Sequence, residues 1–351
     1  MEPMAFDKKY TIPVSFPVYE LPARVVGRSR DILSMGSVIQ EEVIRLENWP
    51  EQGGQQSVPV TTIDDTAGGC TLTLACVAAR LGSQAAVIGC TGDGKYAQLI
   101  NKIIVLSGVE DTFLRRYPGH DGNLVILITN KTGDWATMDY LDPEIYLRPE
   151  DIPSLDQFNR TAIFHIDGYA YLDDRSMAPS VLAVERARQA GCLLSVDASA
   201  AAVRRHLDFL KKLYLEADIF FCNQDEALAV TGCASISGAT QKFKNSPQKL
   251  VFLKMGTQGC FAIHDGKLGH APAFPVTVVD TIGAGDSLAG CILHFLLKKN
   301  PLPFVTLYGN AAGALACLGS GSLSNRFTLD DINMLVNRHF KGFSDGQFNA
   351  E

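Results

Sequence analysis

The sequence has no long apolar run and no excess of positive charge. No uninterrupted apolar stretch reaches the roughly 20 residues that a membrane-spanning helix needs, so we predict no membrane partner. The formal net charge of −7 argues against a nucleic-acid binder that relies on a basic surface. An anionic small-molecule substrate stays open, because a local pocket can oppose the sign of the whole molecule.

The cysteines lack the spacing of a zinc site or a redox pair. None of the nine follows a CxxC pattern, and most lie inside apolar runs, as Cys90 and Cys222 do. We therefore predict buried free thiols in a reducing compartment. Residues 1–30 contain prolines and charges but no compact apolar segment of the signal-peptide type. We interpret them as an N-terminal extension and expect a cytoplasmic protein.

A glycine-rich dinucleotide fingerprint is also missing. The first strand-like run, from Asp31, continues into "MGSVIQE", which does not supply the GxGxxG that a nicotinamide-dependent dehydrogenase needs at this place. This absence excludes that class of enzyme. What the chain contains instead, across 31–340, is an alternation of short apolar runs and apolar helix-like segments, which predicts a mostly parallel sheet covered on both faces.

Residues 112–140 interrupt this alternation. They contain short β-type runs separated by "GHDG" and "KTGD" turns, with no helix between them. This composition is typical of a small antiparallel sheet, which we predict to stand apart from the main body as a lid. Residues 341–351 are predicted to be a C-terminal tail.

The stretch "VVDTIGAGDSLAG", residues 278–290, carries the clearest chemical signal. If Asp286 opens a helix, the amides of Gly283, Ala284, Gly285 and Asp286 lie at its positive end, and the small residues let an anion approach the backbone. A carboxylate beside an anion site makes sense as a base that takes a proton from a hydroxyl, as phosphoryl transfer requires. The alternative is an aspartate helix cap after a glycine turn.

Three further segments have both a functional and a purely structural interpretation. "NQDE" places Asn223 and Glu226 at a helix start, where they suit either magnesium held through waters and phosphates or a simple cap. "KMGTQG" either wraps a nucleotide edge or turns the chain. "AGG" either lies against a substrate, through Gly68 and Gly69, or forms a tight turn before the first long helix.

Together and in this order, the segments resemble the ribokinase-like (PfkB) family of carbohydrate and nucleoside kinases. The resemblance runs from about residue 31 to about residue 340. It rests on "GG" at 68–69, "ARLG" at 79–82, "TGDG" at 91–94, N-x-x-E at 223–226, "DTIGAGD" at 280–286 and "GNAAGAL" at 309–315. It implies a three-layer α/β/α sandwich with a small β-lid, built discontinuously from about 37–64 and 112–140.

The resemblance also implies roles for individual residues. Asp286 would be the catalytic base and 283–285 the anion hole, while Asn223 and Glu226 would organise magnesium and the phosphates of ATP. The nucleotide site would be lined by Lys254, Gly256, Gly259 and Asn310, where Lys254 replaces the threonine of many members. A monovalent cation, potassium in some members, would lie near Asp280, Thr281 and Gly321. Lids of this family often pair into homodimers.

The substrate-facing positions depart from the ribokinase pattern. Gly68 and Gly69 match, but Glu41 stands where aspartate is common, Ile39 where asparagine is common, and Thr73 where asparagine often follows the two glycines. Polar sites that hydrogen-bond a hydroxyl tolerate little misfit, so ribose itself is a poor candidate.

Three functional hypotheses follow. The leading one is ATP-dependent phosphorylation of a hydroxyl on a sugar or sugar derivative. A nucleoside kinase, pseudouridine-type substrates included, is the alternative within the family. A non-catalytic sugar-binding relative is the third, and the presence of Asp286 and the N-x-x-E pair weighs against it.

Overall fold

The computed structural model describes residues 19–51, 53–54, 56–130, 135–246 and 249–340. This part of the chain contains thirteen strands: β1 Arg30–Met35, β2 Ile39–Leu46, β3 Val60–Gly68, β4 Ala85–Gly92, β5 Leu114–Tyr117, β6 Leu124–Thr129, β7 Trp135–Tyr140, β8 Thr161–Asp167, β9 Leu193–Asp197, β10 Ile219–Asn223, β11 Leu250–Lys254, β12 Cys260–His264 and β13 Lys267–Ala271.

Eleven α-helices alternate with these strands over the same described residues. They are α1 Cys70–Arg80, α2 Ala97–Ser107, α3 Leu155–Asn159, α4 Met177–Gln189, α5 Ala200–Arg205, α6 Leu207–Glu216, α7 Gln224–Thr231, α8 Ile236–Lys244, α9 Ala284–Leu297, α10 Leu302–Ala316 and α11 Leu329–His339. None of the described helices is long and apolar enough to cross a bilayer.

The main sheet has nine strands in the order β13-β12-β11-β10-β9-β8-β1-β4-β5. All neighbours are parallel except β11–β12 and β12–β13, which are antiparallel. Its strands are apolar on both faces: consecutive residues such as Phe220 and Phe221 are both fully buried, one in each of two core layers. This confirms the predicted parallel sheet with helices on both sides.

Each face of the sheet has its own helical layer. Helices α1, α2, α9, α10 and α11 supply the core of one face, and α3, α4, α6, α7 and α8 supply the other. Helices α9 and α10 are buried along almost their whole length, which is why their sequences lack a polar stripe. The carboxyl ends of the parallel strands therefore open at one edge, between the two layers.

A second, four-stranded sheet forms the lid, in the order β3-β2-β6-β7. Two details of the prediction are wrong. The lid is mixed, because β2 and β6 are parallel, and β5 belongs to the edge of the main sheet, where it pairs with β4. Period-2 alternation makes β5 look like a lid strand, but it cannot tell which sheet buries Leu114 and Tyr117.

Residues 19–30 of the predicted N-terminal extension pack on the main body. Tyr19 is buried with its ring edge-on to His264, and the Arg28 guanidinium donates to the carbonyls of Thr161 and Ala190. Strand β1 then begins at Arg30. Residues 1–18 of the predicted extension, and the predicted tail 341–351, lie outside the described residues.

Candidate active site

Four neighbouring strands end in polar residues at the same edge of the main sheet. Asp167, Asp197, Asn223 and Lys254 are the last residues of β8, β9, β10 and β11. Helix α9 begins beside them, and its first turn contains Asp286. Ligands of open α/β sheets bind beyond the carboxyl ends of the strands, so this edge is the candidate active site.

The start of α9 leaves most of its amides available. Gly283 caps the helix with φ of +73°, in the left-handed region that favours glycine. Within the described part of the chain, the amides of Gly283, Gly285 and Asp286 have no protein acceptor, as expected for the first turn of a helix. The amide of Ala284 is different: it donates to the Thr281 carbonyl at 3.3 Å. The predicted four-amide anion hole therefore has three available donors.

Asp286 is partly buried and accepts a hydrogen bond from the Cys70 thiol, at the start of α1. Burial raises the pKa of Asp286 to about 6; the negative charge of Asp197 adds to this rise, and Lys254 and the Cys70 hydrogen bond oppose it. A carboxylate with such a pKa is ionised at neutral pH and is a better proton acceptor than an ordinary aspartate.

Lys254 lies next to this turn. Its ammonium group donates to both carboxylate oxygens of Asp197, at 2.7 and 2.8 Å, and lies 3.3 Å from where a Cβ on Gly285 would be. Burial by itself would lower the pKa of Lys254, but Asp197, Glu226 and Asp286 outweigh it and raise the pKa, so the ammonium stays charged. A fixed positive charge therefore accompanies the amides.

A cavity of about 350 Å³ opens beside Lys254 and the start of α9. Most of the predicted nucleotide-site and anion-hole residues line it: Lys254, Gly256, Gly259, Ala284, Gly285 and Asn310. Thr281, predicted for the monovalent cation, lines it too. The amide of the Asn310 side chain is already engaged, because it donates to the carbonyls of Ala271 and Pro272. Asn310 therefore shapes the cavity wall and offers a ligand only its carbonyl oxygen.

Asn223 and Glu226, predicted to organise magnesium, form a reciprocal helix cap at the start of α7. The Asn223 amide donates to Glu226 Oε2 at 2.8 Å, and the Glu226 amide donates to Asn223 Oδ1 at 2.9 Å. Burial raises the pKa of Glu226 to about 7, although Lys254 opposes the rise. No described residue donates to Glu226 Oε1. One carboxylate oxygen suits a magnesium ion held mainly by waters and phosphates, and the described residues contain no cluster of three or more acidic, histidine or cysteine ligands.

Tyr169 follows β8 at the same edge of the main sheet. Its amide donates to Asp167, and the residue is 43% exposed. The pKa of the Tyr169 hydroxyl is raised, first by burial and then by Cys70, Asp167, Asp286 and the lid residue Asp139.

Glu41, predicted to bind substrate, is turned into the protein. Its carboxylate accepts from the Ser322 amide at 2.8 Å, from the Ser322 hydroxyl at 2.6 Å and from the Gly69 amide at 3.4 Å, and it packs over Gly68. In this structure Glu41 joins the lid to the 320–322 loop, which packs against Gly283. The longer glutamate side chain reaches donors that the sequence pattern gave no reason to expect.

Thr73, also predicted to bind substrate, is buried in α1. It lies inside α1, fully buried, and its hydroxyl has no hydrogen-bond partner within the described residues. The substrate role of Thr73 stays a prediction. Cys70, one turn earlier, interacts with Asp286.

The proposed position of a monovalent cation is brought together by hydrogen bonds. Asp280 accepts from the amides of Ile282 and Gly321, at 2.8 and 3.0 Å, and Thr281 lines the cavity. Asp280, Thr281 and Gly321 are thus neighbours, as predicted, although each Asp280 oxygen already has a protein donor.

Several residues of the site escaped sequence reasoning. Asp167 ends a buried strand just as Asp197 does, and this shared position could have revealed it. Cys70 directly follows the two glycines, but a cysteine in an apolar helix is ordinarily read as core. Tyr169 and Ser322 carry no signal in the sequence. Their roles depend on which loops the fold brings together.

Protonation of Glu41 should leave a signature in stability. Burial raises the pKa of Glu41 to about 7, above the ordinary value of 4.5, although its three donors oppose the rise. Between these values the folded state holds more protons than the unfolded one, so the free energy of unfolding falls as pH rises from about 4.5 to 7. We expect Glu41→Gln to remove this contribution, up to about 1.4 kcal/mol per pH unit.

Denaturant unfolding of the wild type, Glu41→Gln and Glu42→Gln at several pH values between 5 and 8 measures this slope. Glu42 is the adjacent, only partly buried glutamate of β2 and serves as the matched control. Identical pH slopes for all three proteins would show that Glu41 does not titrate in this window.

The sequence profile of the pfkB family carbohydrate kinases matches residues 29–327. The chain belongs to this family. The predicted family and the three-layer α/β/α fold with a lid are thereby confirmed. The chain is a phosphotransferase that acts on an alcohol group.

Relatives of this pfkB-family chain cover most of its length. Fructokinase-1 of Oryza sativa subsp. japonica is 24% identical over 327 residues, which span 89% of this chain and 99% of that protein. Aminoimidazole riboside kinase of Salmonella typhimurium is 26% identical over 286 residues, which span 78% of this chain and 88% of that protein. A candidate ribokinase II of E. coli, solved in complex with ATP and Mg²⁺, superposes with a TM-score of 0.75 at 20% identity, covering 88% of this chain and all of that one.

Proposed function

We propose that this protein transfers the γ-phosphoryl group of ATP to a hydroxyl of a sugar or sugar derivative. One observation carries the proposal: the free amides at the start of α9, the Lys254 ammonium and the Asp286 carboxylate meet at one edge of the cavity. Groups that stabilise negative charge thus adjoin a group that accepts a proton. Phosphoryl transfer to an alcohol needs this combination.

In the proposed reaction, Asp286 takes the proton of the acceptor hydroxyl. The acceptor oxygen forms a bond to the γ-phosphorus, the bond from phosphorus to the β–γ bridging oxygen breaks, and ADP leaves with that electron pair. The amides of Gly283, Gly285 and Asp286 stabilise the charge on the transferred group. The acceptor approaches between Tyr169 and the lid, and ATP occupies the cavity bounded by Gly256, Gly259 and Asn310.

Magnesium is part of the proposal. The E. coli neighbour was solved with ATP and Mg²⁺, and the free Glu226 oxygen, with Asn223 beside it, suits an ion held through water and phosphate oxygens. Such an ion neutralises phosphate charge when bound. We also retain Asp280, Thr281 and Gly321 as the proposed place of potassium, and self-association through the lid, whose residues Ile63, Met138 and Tyr140 are exposed.

A nucleoside acceptor is the second candidate. The Salmonella relative is a riboside kinase, and the exposed ring of Tyr169 at the acceptor side offers a surface on which a base can stack. The fructokinase relatives favour a free sugar instead. A non-catalytic relative is disfavoured by the intact grouping of Asp286, Lys254 and free amides.

An ATP-consumption screen tests the proposal. Purified protein with ATP and magnesium is incubated with ketohexoses, aldopentoses, sugar acids, sugar phosphates and nucleosides, and the phosphorylated product is identified by mass spectrometry. We expect turnover with at least one sugar or nucleoside and a product heavier by one phosphoryl group. If a compound raises the melting temperature but none is phosphorylated, the protein is a binding relative.

A further inference from the structure

The side chain of Lys254 spans an unusual distance. In the main sheet β10 lies between β11 and β9, so Lys254, at the end of β11, crosses over the end of β10 to reach Asp197, at the end of β9. Adjacent strands are about 4.8 Å apart, so the Lys254 side chain spans two strand spacings, or roughly 10 Å. Both side chains are mostly buried, 19% and 6% exposed, and the contact is bidentate.

This arrangement aims the ammonium group at the anion hole. The crossing holds Lys254 Nζ against Gly285, whose amide is one of the three free donors, and on the wall of the cavity. An ammonium has three N–H donors, and Asp197 is the acceptor for two contacts. Within the described residues no acceptor takes the third donor.

Carboxylates keep the Lys254 ammonium charged: Asp197 contacts it directly, and Glu226 and Asp286 act on it without a hydrogen bond. Lys249, a second buried lysine, also makes two contacts: its ammonium donates to the carbonyls of Leu215 and Ala217 at the other end of β11. Lys254 differs in its position, because it lines the cavity and its ammonium lies beside Gly285.

We propose that Lys254 contacts the transferred phosphoryl group and that Asp197 is the positioning residue that holds it there. This inference rests on the proposed function. In that reaction Lys254 gives and takes no atom; it stabilises the negative charge of the phosphoryl oxygens while the bond to ADP breaks and the bond to the acceptor forms. Asp197 acts through Lys254 and touches no substrate.

The contact predicts discrimination between ATP and ADP. Because only ATP carries the γ-phosphoryl group, Lys254→Met should weaken ATP binding by about 10- to 100-fold, as expected for the loss of a charge-assisted hydrogen bond, and change ADP binding by less than about 3-fold. Asp197→Asn should weaken ATP binding less, by about 3- to 10-fold, because the lysine remains but is no longer held.

Isothermal titration with ATP and ADP, in magnesium buffer, measures these affinities for the wild type, the two single variants, the double variant Asp197→Asn/Lys254→Met and the control Lys249→Met. The double variant removes both charges together, so it leaves no unpaired buried ion and is the one expected to fold even if a single variant does not. It should bind ATP no more weakly than Lys254→Met. Lys249→Met should keep the wild-type ratio of ATP to ADP affinity.

The possible outcomes distinguish a failure of this inference from a failure of the proposed kinase function. Equal losses of ATP and ADP affinity in Lys254→Met or in the double variant, or no loss at all, overturn the phosphoryl contact. Additive losses from Asp197→Asn and Lys254→Met overturn the positioning role. If the phosphoryl contact or the positioning role is overturned but the wild type phosphorylates an acceptor, the kinase proposal stands. A wild type that binds neither ATP nor ADP rejects both the kinase proposal and this inference.

Discussion

Replacing Asp286 with asparagine is expected to lower turnover by about 10²- to 10⁴-fold and to leave ATP affinity within a few-fold of the wild type. The amide keeps the size of the side chain but cannot take the acceptor proton. The cavity that we propose for ATP is lined by Ala284 and Gly285 and not by Asp286, so nucleotide binding should survive. The loss should therefore appear in kcat.

The pH profile gives a second readout of Asp286. Because its pKa is about 6, wild-type kcat/KM should fall as pH drops through about 6, where the carboxylate becomes protonated and can no longer act as a base. Asp286→Asn should lack this acid limb. Asp330→Asn, the same change in the first turn of the exposed start of α11, is the control and should retain both rate and profile.

Steady-state kinetics with the acceptor found in the screen, together with ATP titration, measures these effects. Near-native turnover in Asp286→Asn would remove this residue from the role of base. An acid limb that persists in the residual activity would assign the titration to another group, such as Glu226.

Gly283→Ala is expected to damage both stability and catalysis. A Cβ at this position would lie 2.7 Å from the Ser322 Cα, a backbone atom, and φ of +73° is unfavourable for alanine. The backbone conformation costs about 1–2 kcal/mol and the overlap about 1–3 kcal/mol. Relief of the overlap must shift the first turn of α9, so kcat should fall by about 10²-fold or more, the usual consequence of losing one anion-hole donor.

Gly256→Ala is the matched control for this substitution. Gly256 also has a positive φ, +56°, and lines the same cavity, but a Cβ there meets nothing within 4 Å. It should lose only the backbone contribution to the free energy of unfolding and keep most of its turnover. Denaturant unfolding and steady-state kinetics of the two variants test the difference. Equal turnover in both would show that the spacing of the amides at 283–286 is not critical.

Much of the site was accessible from local sequence. The helix start at 283–286, the turn at 254–259 and the pair at 223–226 are short segments whose glycines and polar residues dictate their own backbone, and the structure contains all three. The helix begins two residues earlier than expected, at Ala284 instead of Asp286. For Asn223 and Glu226 the two interpretations turn out to be compatible, because the cap uses Oε2 of Glu226 and leaves Oε1 without a described donor.

The features that the sequence did not reveal share a physical origin. Strand β5 has the alternation of a lid strand, yet only the packing partners of Leu114 and Tyr117 decide which sheet it joins. Glu41 lies on the predicted lid strand, but its carboxylate accepts a hydrogen bond from Ser322, 281 residues away along the chain. The residue pattern within one segment cannot predict such a long-range contact.

The alternation of apolar runs was enough to predict a parallel α/β sheet, because local backbone preferences and burial on both faces of a sheet depend on neighbouring residues. The kinase fold followed from the resemblance of the ordered motifs to the PfkB family. The partners of charged side chains were decided by the tertiary structure alone. Lys254 meets Asp197 across an intervening strand, Cys70 meets Asp286 between two helix starts, and Glu41 meets Ser322 between lid and loop. Such pairs form because burial makes an unpaired charge costly, and the fold determines which partner is within reach.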